Sequence, residues 1–226
     1  MKILRINQKG FKKAVKVLVE LVKQGRVIIC PTDTVYGLIA DATNKKTVEK
    51  IFKIKKRPQG KPIPVFVKDI KMAKKLAEID KKQENFLKKV WFTRPNFKKG
   101  PQKKMVEIAP KIWAGKGKVT VVLKRKEKKQ IYGVDKKTIA LRIPKYKLVN
   151  ILLQKLNLPL AGTSANISGK PASTKIKEVI NQFTLRRGSG QEKYQPDLII
   201  DAGNLPKSRP SKVLDLTTSP PKVLRI

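Results

Sequence analysis

The chain contains no histidine, one cysteine, and only 16 acidic residues against 54 lysines and arginines. Without histidine there is no Ser-His-Asp or Cys-His catalysis and no histidine-ligated zinc. A single thiol cannot build a disulfide framework. Cys30 lies in the apolar run Val27-Ile28-Ile29-Cys30, where an inert buried thiol is expected. No stretch approaches the ~20 apolar residues needed to cross a bilayer. The basic N-terminal segment is broken by charges wherever a signal core would run. The expectation is a soluble cytoplasmic protein with no membrane association.

What is present is enough to fold. The chain has 226 residues, 40% of them hydrophobic, with no internal repeat and no linker-like stretch, which points to one domain over residues 1–226. A formal charge of +38 surrounds it with a field that attracts RNA, nucleotides and other anions. A lysine-biased genome or a salt-tolerant cytosol would leave the same composition.

Apolar periodicity outlines the elements. Phe11, Ala14, Val15, Leu18 and Val22 share one helical face, and Gly25 ends that helix. Residues 26–30 read as a buried strand that Pro31 terminates, so Thr32-Asp33-Thr34 should emerge at a strand end, where open α/β sheets place ligands. Val48, Ile51 and Phe52 mark a second helix that stops near Arg57-Pro58, because proline disfavours α geometry in its predecessor. Lys55, Lys56, Arg57 and Lys61 thus fall in its last turn and in an exposed loop, before a strand-like run at 63–67. Such cations are either solvated charge at a helix C-terminus or the fork and point charge that a polyphosphate needs.

Asp69 should cap a helix carrying Ile70, Ala73, Leu76 and Ala77, and Phe86, Leu87 and Val90 mark another. Residues 91–118 interleave Trp91, Phe92, Phe97 and Trp113 with basic residues and prolines, as cover for the core edge or as base-stacking groups. Gly115 and Gly117 do not make a Walker loop. Strands follow at 119–123 and 139–143, and Arg142 in the second must lie on an open face or be paired. A helix through Leu148, Ile151, Leu152 and Leu156 leads to a strand at Leu160 and the loop GTSANISGKPAST, whose small residues admit close approach and supply donors. Ile176, Val179, Ile180 and Phe183 form a last helix, and Gly188-Ser189-Gly190 falls in an exposed loop. Three short strands then turn at Gly203, Pro210 and Pro220-Pro221.

PTDTVYGL from Pro31, KKRPQGKPIPV from Lys55, SANISG from Ser164 and SKVLDL from Ser211 occur in that order, and together they resemble the boxes of the YrdC family of threonylcarbamoyl-adenylate synthases. The resemblance implies an α/β fold of the YrdC/RibB-like kind, an open twisted mixed sheet flanked by helices with a basic concave ligand cleft. It implies a nucleotidyltransferase that condenses L-threonine, bicarbonate and ATP into threonylcarbamoyl-AMP and pyrophosphate. Lys55 and Arg57 would then be catalytic, and Arg57, Lys61, Thr138, Asn166, Thr174 and Arg225 would bind ATP. Thr34, Arg142, Ser164 and Ser211 would line the threonine pocket, with Arg142 on the open face holding the substrate carboxylate. No protein metal site is implied, and Mg²⁺ would arrive on the ATP phosphates.

The product would pass to a transferase complex that modifies the adenosine beside a tRNA anticodon, with tRNA itself a possible partner. This chain departs from the pattern at Phe66, where some relatives have histidine, at Lys212, where threonine is common, and in WAGKGKVT, where prolines are usual. A non-catalytic RNA-binding or ribosome-associated module using the same basic cleft is the alternative. A carbamoyl-adenylate enzyme of hydrogenase maturation is disfavoured, because one cysteine cannot build its zinc modules.

Overall fold

The computed structural model describes residues 1–6, 10–92, 118–127, 129–184 and 194–225. The elements run, in chain order, β1 Lys2–Arg5, α1 Phe11–Lys23, β2 Ile28–Pro31, β3 Tyr36–Asp41, α2 Lys45–Lys55, β4 Val65–Phe66, α3 Ile70–Leu76, α4 Lys81–Phe92, β5 Val119–Lys124, β6 Thr138–Arg142, α5 Lys147–Leu156, β7 Leu160–Ser164, α6 Ile176–Phe183, β8 Leu198–Asp201, β9 Lys212–Asp215 and β10 Lys222–Arg225. The ten strands form one mixed sheet in the order β1-β8-β2-β3-β7-β4-β6-β5-β9-β10.

Alternation along each strand sorts side chains to two faces. Ile29, Leu38, Val65, Val121, Leu141, Ala161, Ile199 and Leu214 join the larger core beneath α2, α3, α4 and α6. Ile28, Cys30, Ile39, Phe66, Leu160, Leu198 and Ile200 point the other way, to a smaller core beneath α1 and α5. That second core stops at β4, and Leu4 of the edge strand β1 packs against its other end. The opposite-face positions of β6, β5 and β9 are instead Ala140, Arg142, Thr120 and Val213, and it is there that a hollow forms.

The helices obey local rules. At the end of α1, Gly25 takes φ +71°, its N–H reaches Val22 O at 3.0 Å and the Arg26 N–H reaches Leu21 O at 2.9 Å, a Schellman closure that only glycine adopts without strain. Asp69 caps α3 by accepting from Met72 N at 2.6 Å, as its sequence position predicts. At the start of α4, Asp80 Oδ1 accepts from Gln83 N at 2.7 Å and Gln83 Oε1 accepts from Asp80 N at 3.1 Å, a reciprocal cap. None of the described helices is long and apolar enough to cross a membrane.

Pro31 ends its strand as expected: it is the last residue of β2 and pairs with Tyr36 of β3, and Thr32-Asp33-Thr34 follow as the turn, with Thr32 N donating to Val35 O at 3.2 Å. Three strands depart from the sequence reading. β3 itself, which lies between β2 and β7, was not read from YGLIAD. The run at 63–67 contributes only the two residues of β4, since Pro62 and Pro64 lack the N–H groups a longer ladder needs. The short edge strand β1, parallel to β8, also carries too few apolar residues to announce itself.

Candidate functional site

A cavity of about 360 Å³ opens on the uncovered half of the second sheet face. Its walls come from the β2–β3 turn (Thr32, Thr34), the loop after α2 (Arg57, Pro62), β6 (Arg142), β7 (Gly162, Ser164) and the β9–β10 hairpin (Ser211, Arg225). Segments far apart in the chain therefore meet in one hollow within the size range of small-molecule sites.

The turn is built by its own hydroxyls. Thr32 Oγ1 donates to Val35 O at 2.6 Å and accepts from Thr34 N at 3.2 Å, while the Thr32 and Thr34 hydroxyls lie 3.1 Å apart. Because Thr32 has spent its one proton on Val35, Thr34 is the donor of that pair. Tyr36, fully buried just after the turn, donates to Gly203 O at 2.6 Å and accepts from Ala202 N at 3.1 Å. Burial pushes its phenol up to about 12, so it stays a neutral strut.

Three guanidiniums face the hollow, each aimed by a different device. Arg57 follows the left-handed Lys56 (φ +50°) at the end of α2, and donates from Nε to Lys61 O and from Nη2 to Pro62 O, both at 3.0 Å. Burial lowers its pKa, but a guanidinium remains charged. Arg225 reaches the hollow because β10 carries a bulge: Val223 pairs with Leu214, yet Arg225 pairs with Val213. The extra residue turns Arg225 from the core side to the cavity side. Its Nε and Nη2 then bind Ser211 O at 2.9 and 2.7 Å, and Nη2 also meets Ser211 Oγ at 3.0 Å.

Arg142 is a correction. It faces the cavity but is not on an open surface: its side chain is 7% exposed and Nη2 donates to Asp33 Oδ1 at 2.7 Å, with Asp33 only 6% exposed. An arginine in mid-sheet must be paired, and the β2–β3 turn supplies the partner. Arg142 Nε and Asp33 Oδ2 are buried without a hydrogen-bond partner. Phe66 lies beneath, its ring 5.9 Å from the Arg142 guanidinium carbon, and a Cβ at Gly162 would come within 2.4 Å of that ring. Glycine is therefore required at that position for Phe66 to form the cavity floor.

Lys55 is the second correction. Expected on an exposed helix end, it is 2% exposed, and its ammonium donates to Ser164 O at 2.6 Å, Asn166 O at 2.8 Å and Asn166 Oδ1 at 3.0 Å. Burial, with Arg57 nearby, lowers its pKa to about 7.

Of the remaining sequence candidates, Asn166 stands behind the wall, accepting from Ser164 Oγ at 2.6 Å. Thr174 lines an adjoining, more open groove with Lys175, Lys207 and Arg209. Lys61 contributes its carbonyl to Arg57 and is not among the wall residues. Thr138 sits at the far end of β6, its hydroxyl 3.3 Å from Asp135 Oδ1 and also off the wall. Thr120 was missed; it is 2% exposed, lines the cavity and lies 3.1 Å from Ser211 Oγ. Its signal was available as the lone polar residue in the strand VTVVL. Trp91 belongs to the core, with Nε1 donating to Val119 O at 3.2 Å. Phe97, Trp113, Gly115, Gly117 and the Gly188-Ser189-Gly190 turn lie outside the described residues. Cys30 is fully buried, which raises its thiol pKa and keeps it inert.

The threonylcarbamoyl-AMP synthase of Pyrococcus abyssi is 28% identical over 227 residues, covering 99% of this chain and 56% of that protein. A protein of Methanocaldococcus jannaschii is 30% identical over 220 residues, 96% of this chain and 86% of its own length. The crystal structure of P. abyssi Sua5 complexed with L-threonine superposes with a TM-score of 0.74 at 27% identity, over 99% of this chain and 56% of that one. The chain thus spans little more than half of the P. abyssi protein. A family model for Sua5, YciO and YrdC proteins, described as telomere recombination, matches residues 20–226, and the chain belongs to this Sua5/YciO/YrdC family.

Proposed function

We propose that the protein is an L-threonylcarbamoyladenylate synthase, a nucleotidyltransferase acting through residues 1–226 as one YrdC-like domain. The observation that carries this reading is the meeting of Arg57, Arg142 and Arg225 with Thr34, Ser164 and Ser211 in one cavity. The name of the P. abyssi synthase and the L-threonine in its Sua5 crystal structure support it.

The chemistry asks for orientation and charge neutralisation more than for a protein nucleophile. The amine of L-threonine attacks the carbon of bicarbonate and water leaves, or attacks CO₂ and a proton leaves, and either route gives a carbamate. A carbamate oxygen then attacks the α-phosphorus of ATP, and the bond to the bridging oxygen breaks with pyrophosphate as leaving group. Arg57 and Arg225 neutralise charge building on the phosphates, and the Lys61 carbonyl holds Arg57 in place. Thr174, in the adjoining groove, serves the nucleotide, while Thr34, Arg142, Ser164 and Ser211 serve the amino acid; Asn166, behind the wall, and Thr138, off it, are not placed to touch ATP. Arg142 Nε, buried and unpartnered, is a donor in keeping with a carboxylate. Among the described residues no group of three or more His, Cys, Asp or Glu could hold a metal ion, so Mg²⁺ would be held through the ATP phosphates. In the cytoplasm the adenylate would be handed to a transferase complex acting on tRNA.

Pyrophosphate release measured with ATP, L-threonine and bicarbonate, then with each omitted, tests the proposal. All three should be required. The net charge of +38 favours one second reading, an RNA-binding module without catalysis. Tight tRNA binding with no threonine-dependent ATP consumption would establish that reading instead.

A further inference from the structure

An ammonium has three N–H donors. At Lys55 all three meet acceptors within 3.0 Å: the carbonyls of Ser164 and Asn166, and Asn166 Oδ1. The backbone closes the same contact in reverse, with Ser168 N donating to Lys55 O at 2.7 Å. The side chain is therefore saturated by protein groups, behind the cavity wall and absent from it. A residue so placed has no donor to offer a phosphate.

Its effect is transmitted to Ser164. The Asn166 amide is oriented from both sides, because Nδ2 donates to the Ile167 and Lys170 carbonyls while Oδ1 faces the Lys55 ammonium. With Oδ1 fixed as acceptor, the Ser164 hydroxyl 2.6 Å away must be the donor. Its only proton is spent there, so Ser164, which lines the cavity, turns lone pairs to the ligand. Thr34 reaches the same polarity independently, its proton drawn to Thr32 Oγ1 because Thr32 donates to Val35 O. Two hydroxyls that could in principle bond either way are thus both set as acceptors, in a hollow whose charged wall groups are guanidinium donors.

We infer that Lys55 is a positioning residue, acting through Asn166 to fix Ser164 as a hydrogen-bond acceptor for an N–H of the amino-acid substrate. The inference rests on the synthase reading and deepens it: guanidiniums take carboxylate and phosphate, and the polarised hydroxyls take the amine. Lys55 touches neither substrate.

The test measures KM for L-threonine and for ATP in wild-type protein, Lys55→Met, Ser164→Ala and the double variant. Each single change should raise KM for L-threonine about 10-fold or more and leave KM for ATP within about threefold, as expected for one hydrogen bond to a charged group. The double variant should be no worse than the poorer single, since both remove the same contact. A lost ATP affinity with threonine KM unchanged, equal losses for both substrates, or additive losses would each overturn the inference, the first by making Lys55 a phosphate ligand. If Lys55→Met does not fold, Ser164→Ala decides alone: a selective rise in threonine KM supports the inference, and an unchanged threonine KM overturns it. Wild-type protein without threonine-dependent turnover would sink the synthase reading and this inference with it. Failure in the variants alone sinks only the inference.

Discussion

The sheet face that carries the cavity is divided into two halves built on the same alternation but with opposite residue types. From β8 to β4 the outward positions are Leu198, Ile200, Ile28, Cys30 and Leu160, and α1 and α5 lie over them with Leu18, Val22, Leu148 and Leu152. Around β6, β5, β9 and β10 the wall residues are Arg142, Ala140, Thr120, Ser211, Val213 and Arg225. An apolar half demands a helical cover, because its area must leave water. A half carrying guanidiniums and hydroxyls makes no such demand and keeps room for a ligand. Phe66 marks the boundary, packed into the covered core yet forming part of the cavity wall.

Substitutions on either side should separate stability from activity. On the covered half, Leu152 is fully buried, and Leu152→Ala should lower unfolding free energy by about 2–5 kcal/mol, read by denaturant titration, while both substrate KM values stay put. On the open half, Arg57→Ala should cut pyrophosphate release on the order of 10²–10³-fold. Its denaturation midpoint should barely move, since the side-chain hydrogen bonds of Arg57 among the described residues go to two carbonyls of its own loop. A loss of stability as large as that of Leu152→Ala would erase the distinction between the halves. At the boundary, Gly162→Ala places a methyl within 2.4 Å of the Phe66 ring and should cost both properties, about 1–3 kcal/mol of stability together with weaker substrate binding.

A pH effect is expected at Lys55, whose three acceptors offset part of its desolvation. Burial and the neighbouring Arg57 lower its pKa from 10.5 to about 7, so between those values the unfolded chain holds the proton more fully than the folded one. Stability linked to this group is therefore present above about pH 10.5, declines as pH falls to 7, and is level below that. Comparing unfolding of wild type and Lys55→Met from pH 6 to about 10 isolates this slope from the other lysines. Parallel curves would show that Lys55 keeps its ordinary pKa in the fold.

The helices were legible because periodicity survives without tertiary context. Phe11 to Val22, Val48 to Phe52 and Leu148 to Leu156 each wrote their buried faces in the sequence. The polar boxes around Thr34, Arg57 and Ser164 were legible as chemistry, because their residue types differ from the apolar runs that flank them. What escaped were features whose cause lies far along the chain. The acceptors of Lys55 are 109 and 111 residues away, so a lysine in a run of cations looked solvated when it was sealed. Arg142 is likewise paired with Asp33 across 109 residues. The bulge that turns Arg225 inward depends on the register of β10 against β9, which no local pattern specifies.

Residue order alone settled which stretches are helical and which chemistries histidine's absence forbids, since these follow from periodicity and side-chain type. Only the folded chain decided that the cations of one short segment part ways, Arg57 to the cavity and Lys55 to the wall behind it. The reason is physical: whether a charge meets a ligand or a carbonyl depends on which distant backbone groups arrive beside it, and that is fixed by strand register and helix packing.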